Sequence, residues 1–274
     1  MTTILDRLAC HARERTRQAK EKIPPAEIRR QALALPKGSF AFEKALKKPG
    51  LSFICECKKA SPSKGLIAPD FPYVQIAKDY EAAGADCISV LTEPEWFLGG
   101  DRHLREIADT VKLPCLRKDF TVDEYMIYEA KLLGAAAALL ICSILTEREI
   151  GEYIDVCDEL GLSALVEVHD EAQAHMALRA GARIIGVNNR NLRNFSVDTD
   201  NSLRLRRLIP PDVLYVSESG ISSAQDVLAE EARQSPQLLP IRTIGLMTVI
   251  IFIILKKLFP VFPEHRGSTL TIKS

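Results

Sequence analysis

Short apolar runs recur along the chain at residues 52–57, 87–91, 115–116, 138–142, 164–168, 184–187 and 213–216. Successive runs lie about 20 to 35 residues apart, room for the crossover that parallel strands need. None alternates with polar residues, which is the pattern of parallel strands covered on both faces. Between them, residues 74–83, 123–133, 147–160 and 171–180 read as amphipathic helices. Several of these stop at a glycine just ahead of the next run (Gly84, Gly134, Gly161 and Gly181). Glycine is the residue a left-handed helix terminus favours. The unit of run, helix and glycine therefore repeats and predicts βα units in series.

Seven such strands precede residue 220. An open doubly wound sheet holds seven, whereas a closed barrel needs eight. The polar residues that end the runs tip the reading towards a (β/α)8 barrel. The first run ends at Glu56-Cys57-Lys58, the third at Arg117-Lys118-Asp119-Phe120 and the fifth at Glu167-Val168-His169. The sixth ends at Asn188-Asn189-Arg190 and the seventh at Ser217-Glu218-Ser219-Gly220. Barrel active sites lie at the C-terminal ends of the strands, so charge recurring there marks a candidate site. A ring of salt-bridged rim residues is the less favoured alternative. Strand alternation puts Glu56 and Lys58 on one face and Cys55 and Cys57 on the other. Lysines and glutamates gathered in one pocket suit proton transfer, because neighbours and desolvation move their pKa values.

Composition narrows the classes. The chain is 47% apolar and 26% charged, as a folded globular domain is. Its 36 basic and 36 acidic residues cancel, so no whole-molecule field points to nucleic acid or an anionic membrane. The first fifty residues are basic, but interleaved Glu14, Glu21 and Glu27 favour a solvated helix face. Seven cysteines without a CxxC pair read as reduced, buried thiols in a cytoplasmic enzyme. The N-terminus carries no apolar core of a secretory signal. His103, His169 and His175 lack ligand-spaced partners and read as structural.

Five segments together carry a family resemblance. Residues 56–65, Glu-Cys-Lys-Lys-Ala-Ser-Pro-Ser-Lys-Gly, resemble the E-x-K-x-x-S-P-S-x-G signature of indole-3-glycerol-phosphate synthases, and residues 116–120 resemble that family's L-R-K-D-F. Residues 165–169, 186–192 and 217–221 follow in the family's order, and the likeness runs over roughly residues 5–227. The resemblance implies ring closure of 1-(2-carboxyphenylamino)-1-deoxyribulose 5-phosphate with loss of carbon dioxide and water. It implies Lys118 as general acid, and Glu167 as the carboxylate for later proton transfer and cation stabilisation. Lys58 would hold the substrate carboxylate or share acid duty, and Glu56 would orient Lys58 and Lys118. Asn188, Arg190 and Glu218 would line the pocket, with Ser61, Pro62 and Phe120 also at the substrate. Ser219 and Gly220 would supply half of a phosphate-binding turn. This chemistry calls for neither cofactor nor metal. The expected partner is a small phosphorylated substrate, with the chain a monomer or weak homo-oligomer. Ser61-Pro62-Ser63 begin a loop that reads as a mobile lid or an ordinary turn, and Trp96 and Phe97 either face the substrate's ring or pack the second loop.

The chain divides into a helical extension (1–50), which in the family covers one barrel end, a core of units one to seven (51–234), and a divergent segment (235–274). The family's last turn and strand have no counterpart after residue 227, so the eighth unit is expected to be atypical or incomplete. An inactive or poorly folded relative is the alternative. The apolar run from Thr248 to Leu255 reads as a substitute eighth strand or a disordered, aggregation-prone tail rather than a membrane tether, since about 20 residues are needed to span. Without that strand, two sheet edges would stay exposed.

Overall fold

The computed structural model describes residues 3–48, 50–190, 196–198, 200–219 and 248–252. The chain opens with helices α1 (Ile4–Lys22), α2 (Pro25–Ala34) and α3 (Ala41–Leu46). There follow β1 (Ser52–Cys57), a small hairpin of β2 (Ala60–Ser61) and β3 (Gly65–Leu66), α4 (Tyr73–Ala82), β4 (Cys87–Leu91) and α5 (Asp101–Thr110). Next come β5 (Cys115–Lys118), α6 (Tyr125–Leu132), β6 (Ala137–Ile141), α7 (Glu147–Leu160), β7 (Ser163–Val168) and α8 (Glu171–Arg179). The last elements are β8 (Ile184–Asn188), α9 (Asp200–Arg206), β9 (Leu214–Glu218) and β10 (Thr248–Phe252).

Among the described residues, eight parallel strands close a barrel in the order β1-β10-β9-β8-β7-β6-β5-β4. The seven expected strands are β1 and β4 to β9, each within a few residues of its apolar run. The ring is shut by β10, which pairs in parallel with β1 (Phe53 opposite Ile250) and with β9 (Ser217 opposite Ile250). The run after residue 247 thus supplies the eighth strand. Of the alternatives for this run, the substitute strand is the one observed, so the edges of β1 and β9 are paired, and the membrane alternative is corrected for residues 248–252. Residues 220–247 and 253–274, with Gly220 and most of the divergent segment, lie outside the described residues. No helix among the described residues is long and apolar enough to cross a membrane.

Strand alternation sorts the side chains into two layers. Ile54, Leu116, Leu139, Ile141, Leu165, Ile184 and Val216 fill the barrel interior. Cys55, Cys57, Val166, Val168, Ile185 and Val187 face out to the helices. Ile150 and Ile154 of α7 pack on that outer layer, and cutting either back to Ala costs about 2–5 kcal/mol. Phe42 and Leu46 of α3 are fully buried in the inner cluster and plug the N-terminal end of the barrel. The Glu43 backbone N–H donates to Ser163 Oγ at the start of β7 (3.1 Å).

The N-terminal extension therefore serves both ends. While α3 plugs the bottom, α1 reaches residues that follow β4 and β5 at the other end. Arg15 forms two hydrogen bonds to the buried Asp119 carboxylate (2.6 and 3.2 Å), and Lys20 pairs with Asp123 (2.6 Å). His11 Nδ1 lies 3.2 Å from Glu93 Oε1. Glu93 in turn accepts the backbone N–H groups of Glu95, Trp96 and Phe97, which fixes the loop after β4. Basic side chains read as a solvated face are, at Arg15 and Lys20, the docking face of α1. Six of the seven thiols are buried as expected, but Cys10 is exposed.

Candidate active site

Polar residues occupy the inward positions of the last turn of several strands. On β5, Leu116 points into the core and Lys118, two residues on, stands above it. Leu165 and Glu167 repeat this on β7, and Val216 and Glu218 on β9. The three upper side chains meet. Lys118 Nζ donates to Glu167 Oε2 (3.0 Å) and to Glu218 Oε2 (2.8 Å). Asn188, at the end of β8, donates from Nδ2 to Glu167 Oε1 (3.2 Å). Its Oδ1 accepts from Ser219 Oγ (2.9 Å) and from the Arg190 backbone N–H (3.0 Å). On β1, Lys58 forms an ion pair with Glu56.

Burial sets the electrostatics. Desolvation alone would discharge Lys118, but Glu218, Glu167 and Glu56 outweigh it and hold the ammonium well above its usual pKa. Burial likewise opposes ionisation of Glu167, yet Lys118 and His169 bring that carboxyl down to about 2. Glu218 goes the other way: burial, with the Glu167 charge beside it, outweighs Lys118 and raises it to about 7. One ammonium thus sits between a carboxylate that stays ionised and one that can carry a proton near neutrality, the split that acid–base chemistry uses.

Space for Glu218 comes from the neighbouring strand. A Cβ at Gly186 on β8 would stand 2.1 Å from Glu218 Oε1, so glycine leaves room for that carboxylate where it stands. Ser219 adopts φ 68°, a left-handed conformation uncommon outside glycine. Strain of this kind clusters at ligand-binding turns. Asn189, which the sequence reading left without a role, is buried and holds this turn. It donates to Ser217 Oγ (3.4 Å) and Ser219 O (3.2 Å) and accepts from Ser202 Oγ (2.7 Å).

The other expected residues have contacts of their own. Ser61 and Pro62 fall in the β2–β3 hairpin region, where Ser61 Oγ accepts the Lys64 N–H (3.2 Å). Phe120 pairs with Phe97 (ring centroids 6.1 Å). Trp96 packs edge-on to His11 of α1, with Arg7 over its face, so it serves helix docking. Beside the cluster opens a cleft of about 770 Å³ whose lining includes Thr3, Ser143, His169, Asn188, Arg190 and Arg204. It borders the cluster through Asn188 and His169, and Lys118 is not among its walls. Among the described residues, no group of three His, Cys, Asp or Glu is arranged to hold a metal ion.

The family model for indole-3-glycerol phosphate synthase matches residues 5–239, beyond residue 227 where the resemblance by motif ends. The chain belongs to the indole-3-glycerol phosphate synthase family. The enzyme of that name from Ruminiclostridium cellulolyticum is 56% identical over 227 residues, covering 82% of this chain and 87% of its own. The one from Endomicrobium trichonymphae is 52% identical over 225 residues, with the same coverages. Among solved structures, the N-acetylmannosamine-6-phosphate 2-epimerase from Clostridium perfringens aligns with a TM-score of 0.55 at 12% identity, covering 77% of this chain and 89% of that one. The YdjI aldolase from Escherichia coli K12 aligns at 0.51 and 17% identity, covering 78% and 79%. At those identities, the two structures speak for the fold this synthase family shares and for nothing more.

Proposed function

We propose that this chain closes the indole ring of 1-(2-carboxyphenylamino)-1-deoxyribulose 5-phosphate, releasing carbon dioxide and water to give indole-3-glycerol phosphate. The observation that carries the reading is Lys118 Nζ held between Glu167 and Glu218 at the catalytic end of a barrel of this family. Lys118 protonates the ribulose carbonyl oxygen as the aromatic carbon attacks; its raised pKa keeps that proton on the ammonium until the substrate demands it. Attack breaks aromaticity, and loss of carbon dioxide restores it. Glu167, held ionised, stabilises the cationic intermediate and then accepts the proton shed from the carbon next to nitrogen. The departing hydroxyl takes a second proton, from Lys118 or from Lys58.

Lys58 meets the substrate carboxylate, and Glu56 fixes it there through their ion pair. Asn188 orients Glu167, and Arg190 faces the cleft in which the substrate's polar chain lies. Ser219, with Gly220 beyond the described residues, opens the turn that takes the phosphate on backbone N–H groups. Ser61, Pro62 and Phe120 bound the site from the first and third loops.

The test is indole-3-glycerol phosphate formation by the purified chain, followed by its fluorescence, beside Lys118→Ala. We expect turnover from the parent and a loss of at least about a hundredfold in the variant, the usual weight of a general acid. Equal rates would remove Lys118 from the chemistry, and no product from a folded parent would remove the assignment.

A further inference from the structure

Indole formation from a carboxylate substrate does not balance without solvent: substrate anion and one proton give product, carbon dioxide and water. Two protons go onto the carbonyl oxygen, first to make the hydroxyl and then to expel it. One returns from the carbon next to nitrogen. When Lys118 supplies both, Glu167 can return to it only the proton taken from carbon, so the pair ends each turnover one proton short; both Lys118 and Glu167 lie away from bulk water (side-chain exposure 15% and 4%).

His169 lies between that cluster and the cleft. Its Nε2 faces Glu167 Oε1 at 3.7 Å and is buried without a hydrogen-bond partner. Buried ring nitrogens are ordinarily satisfied, so an orphan aimed at a carboxylate calls for a function. On the other side, Nδ1 lies 3.4 Å from the hydroxyl of Ser143, an exposed residue on the cleft wall. The backbone around the imidazole is pinned. The His169 N–H donates to Gln173 Oε1 (2.9 Å), Gln173 Nε2 donates to Ser143 Oγ (3.0 Å), and Asn201 Nδ2 donates to the His169 carbonyl (3.1 Å). Glu167 turns Oε1 to His169 and Oε2 to Lys118, so one carboxylate bridges the imidazole and the ammonium.

We infer that His169 is the relay that reloads the acid–base cluster, drawing a proton from the cleft beside Ser143 and passing it through Glu167 to Lys118. The inference rests on the activity proposed above. In the reloading step, the Nε2–H proton moves to Glu167 Oε1 while Nδ1 takes one from the Ser143 side. Glu167 then gives its proton to the Lys118 amine left by the reaction. Contacts of this kind are often long before substrate binds and tighten in the complex, as the 3.7 Å gap requires. The charged groups around the imidazole are Glu167 at the end of β7, Asp170 at the start of α8, and, across the cleft, Asp6, Arg190, Asp198 and Arg204. His169 acts through Glu167 and need not touch the substrate.

The experiment compares wild type with His169→Gln and Ser143→Ala, measuring kcat and KM against pH, against buffer concentration and with added imidazole. In dilute buffer, kcat of His169→Gln falls roughly ten- to a hundredfold, at or below the low end for a general acid–base group, with KM near wild type. Imidazole restores the rate in that variant only, and Ser143→Ala shows a smaller loss of the same buffer-dependent kind. A kcat and pH profile matching wild type overturns the relay. So does a loss that imidazole and buffer leave untouched, since that marks a structural role. If His169→Gln fails to fold, the exposed Ser143→Ala decides by the same buffer dependence. An inactive wild type overturns the functional reading itself, and this inference with it.

Discussion

At the residue scale, the site depends on crowding one ammonium between two carboxylates, and Gly186 is what permits it. With a methyl group 2.1 Å from Glu218 Oε1, Gly186→Ala must shift the carboxylate whose other oxygen accepts from Lys118. A displacement of about 1 Å at a catalytic group can cost roughly a hundredfold in rate. We expect Gly186→Ala to fold and to lose that much in kcat, with thermal melting and steady-state rates measured together. Glu218 also carries a pH signature. Its folded pKa is raised to about 7 from an unfolded value of 4.5. Its protonation therefore favours the fold below pH 4.5, and that contribution is lost as pH rises through 7. Glu218→Gln does not titrate, so its melting temperature should gain on wild type by a few degrees between pH 5 and pH 8. A constant gap across those pH values would refute the raised carboxyl. Lys118, Glu167 and Glu218 were legible in the sequence because each ends an apolar run at an inward position. Gly186 and His169 were not. The first acts by lacking a side chain inside a run, and the second by the direction of one ring nitrogen.

At the element scale, α1 is held to the barrel by a few specific charges. Asp119 has no exposed side-chain surface, whereas Arg15 is 23% exposed. Burial opposes the Asp119 charge, but Arg15, Arg117 and the Thr92 hydroxyl (2.7 Å) hold its pKa below the usual value. Arg15→Leu removes one cation and leaves Arg117 and Thr92, so its cost should fall below the roughly 3–5 kcal/mol of a fully broken buried pair, at about 2 kcal/mol. A depressed carboxylate lends stability above its unfolded pKa and loses it as pH falls through the folded one. The cost of Arg15→Leu should therefore be largest at neutral pH and shrink below about pH 4. Urea melts of both chains at the two pH values check it, and a pH-independent difference would assign the effect to packing. Four of the helices were readable because their βα units carry their own punctuation, whereas α5, capped at Val111 without a glycine, and α9 were not. Thr146 builds a full capping box on α7, and Gly161 ends it at φ 71°. The Gly161 carbonyl also accepts the Phe40 N–H (3.0 Å), and a Cβ there would lie 2.1 Å from Gly38 O. The long-range role of Gly161 left no local pattern, and neither did the pairing of Arg15 with a residue 104 positions away.

At the scale of the whole molecule, the decisive element is β10, because β1 and β9 meet only through it. The sequence marked residues 248–255 as apolar and β-branched, one βα unit beyond the seventh strand. It could not say whether that run would meet two strands separated from each other by more than 150 residues of chain, since closure is a property of the ring and of no single segment. The consequence reaches the chemistry. Glu56 and Lys58 stand at the end of β1 and Glu218 at the end of β9, so β10 sets how far apart these groups lie. Ile250 is paired on both sides, opposite Phe53 and Ser217. Proline there removes an N–H from the closed ladder, which sheets tolerate only at edges. One unpaired ladder group costs about 2 kcal/mol, equivalent to roughly 4–8 °C in a chain of this size. We expect Ile250→Pro to melt lower by that amount. Deletion of residues 248–274 should go further and give a chain that associates through the bared edges of β1 and β9, seen by size-exclusion chromatography. Assayed below its melting point, Ile250→Pro should also lose kcat although no residue of the cluster has changed, because the Glu56–Lys58 pair on β1 would no longer be held at its place relative to Lys118 and Glu218. A proline variant that melts and turns over like the parent would mean that the barrel does not depend on β10, and that β1 is positioned by β4 alone.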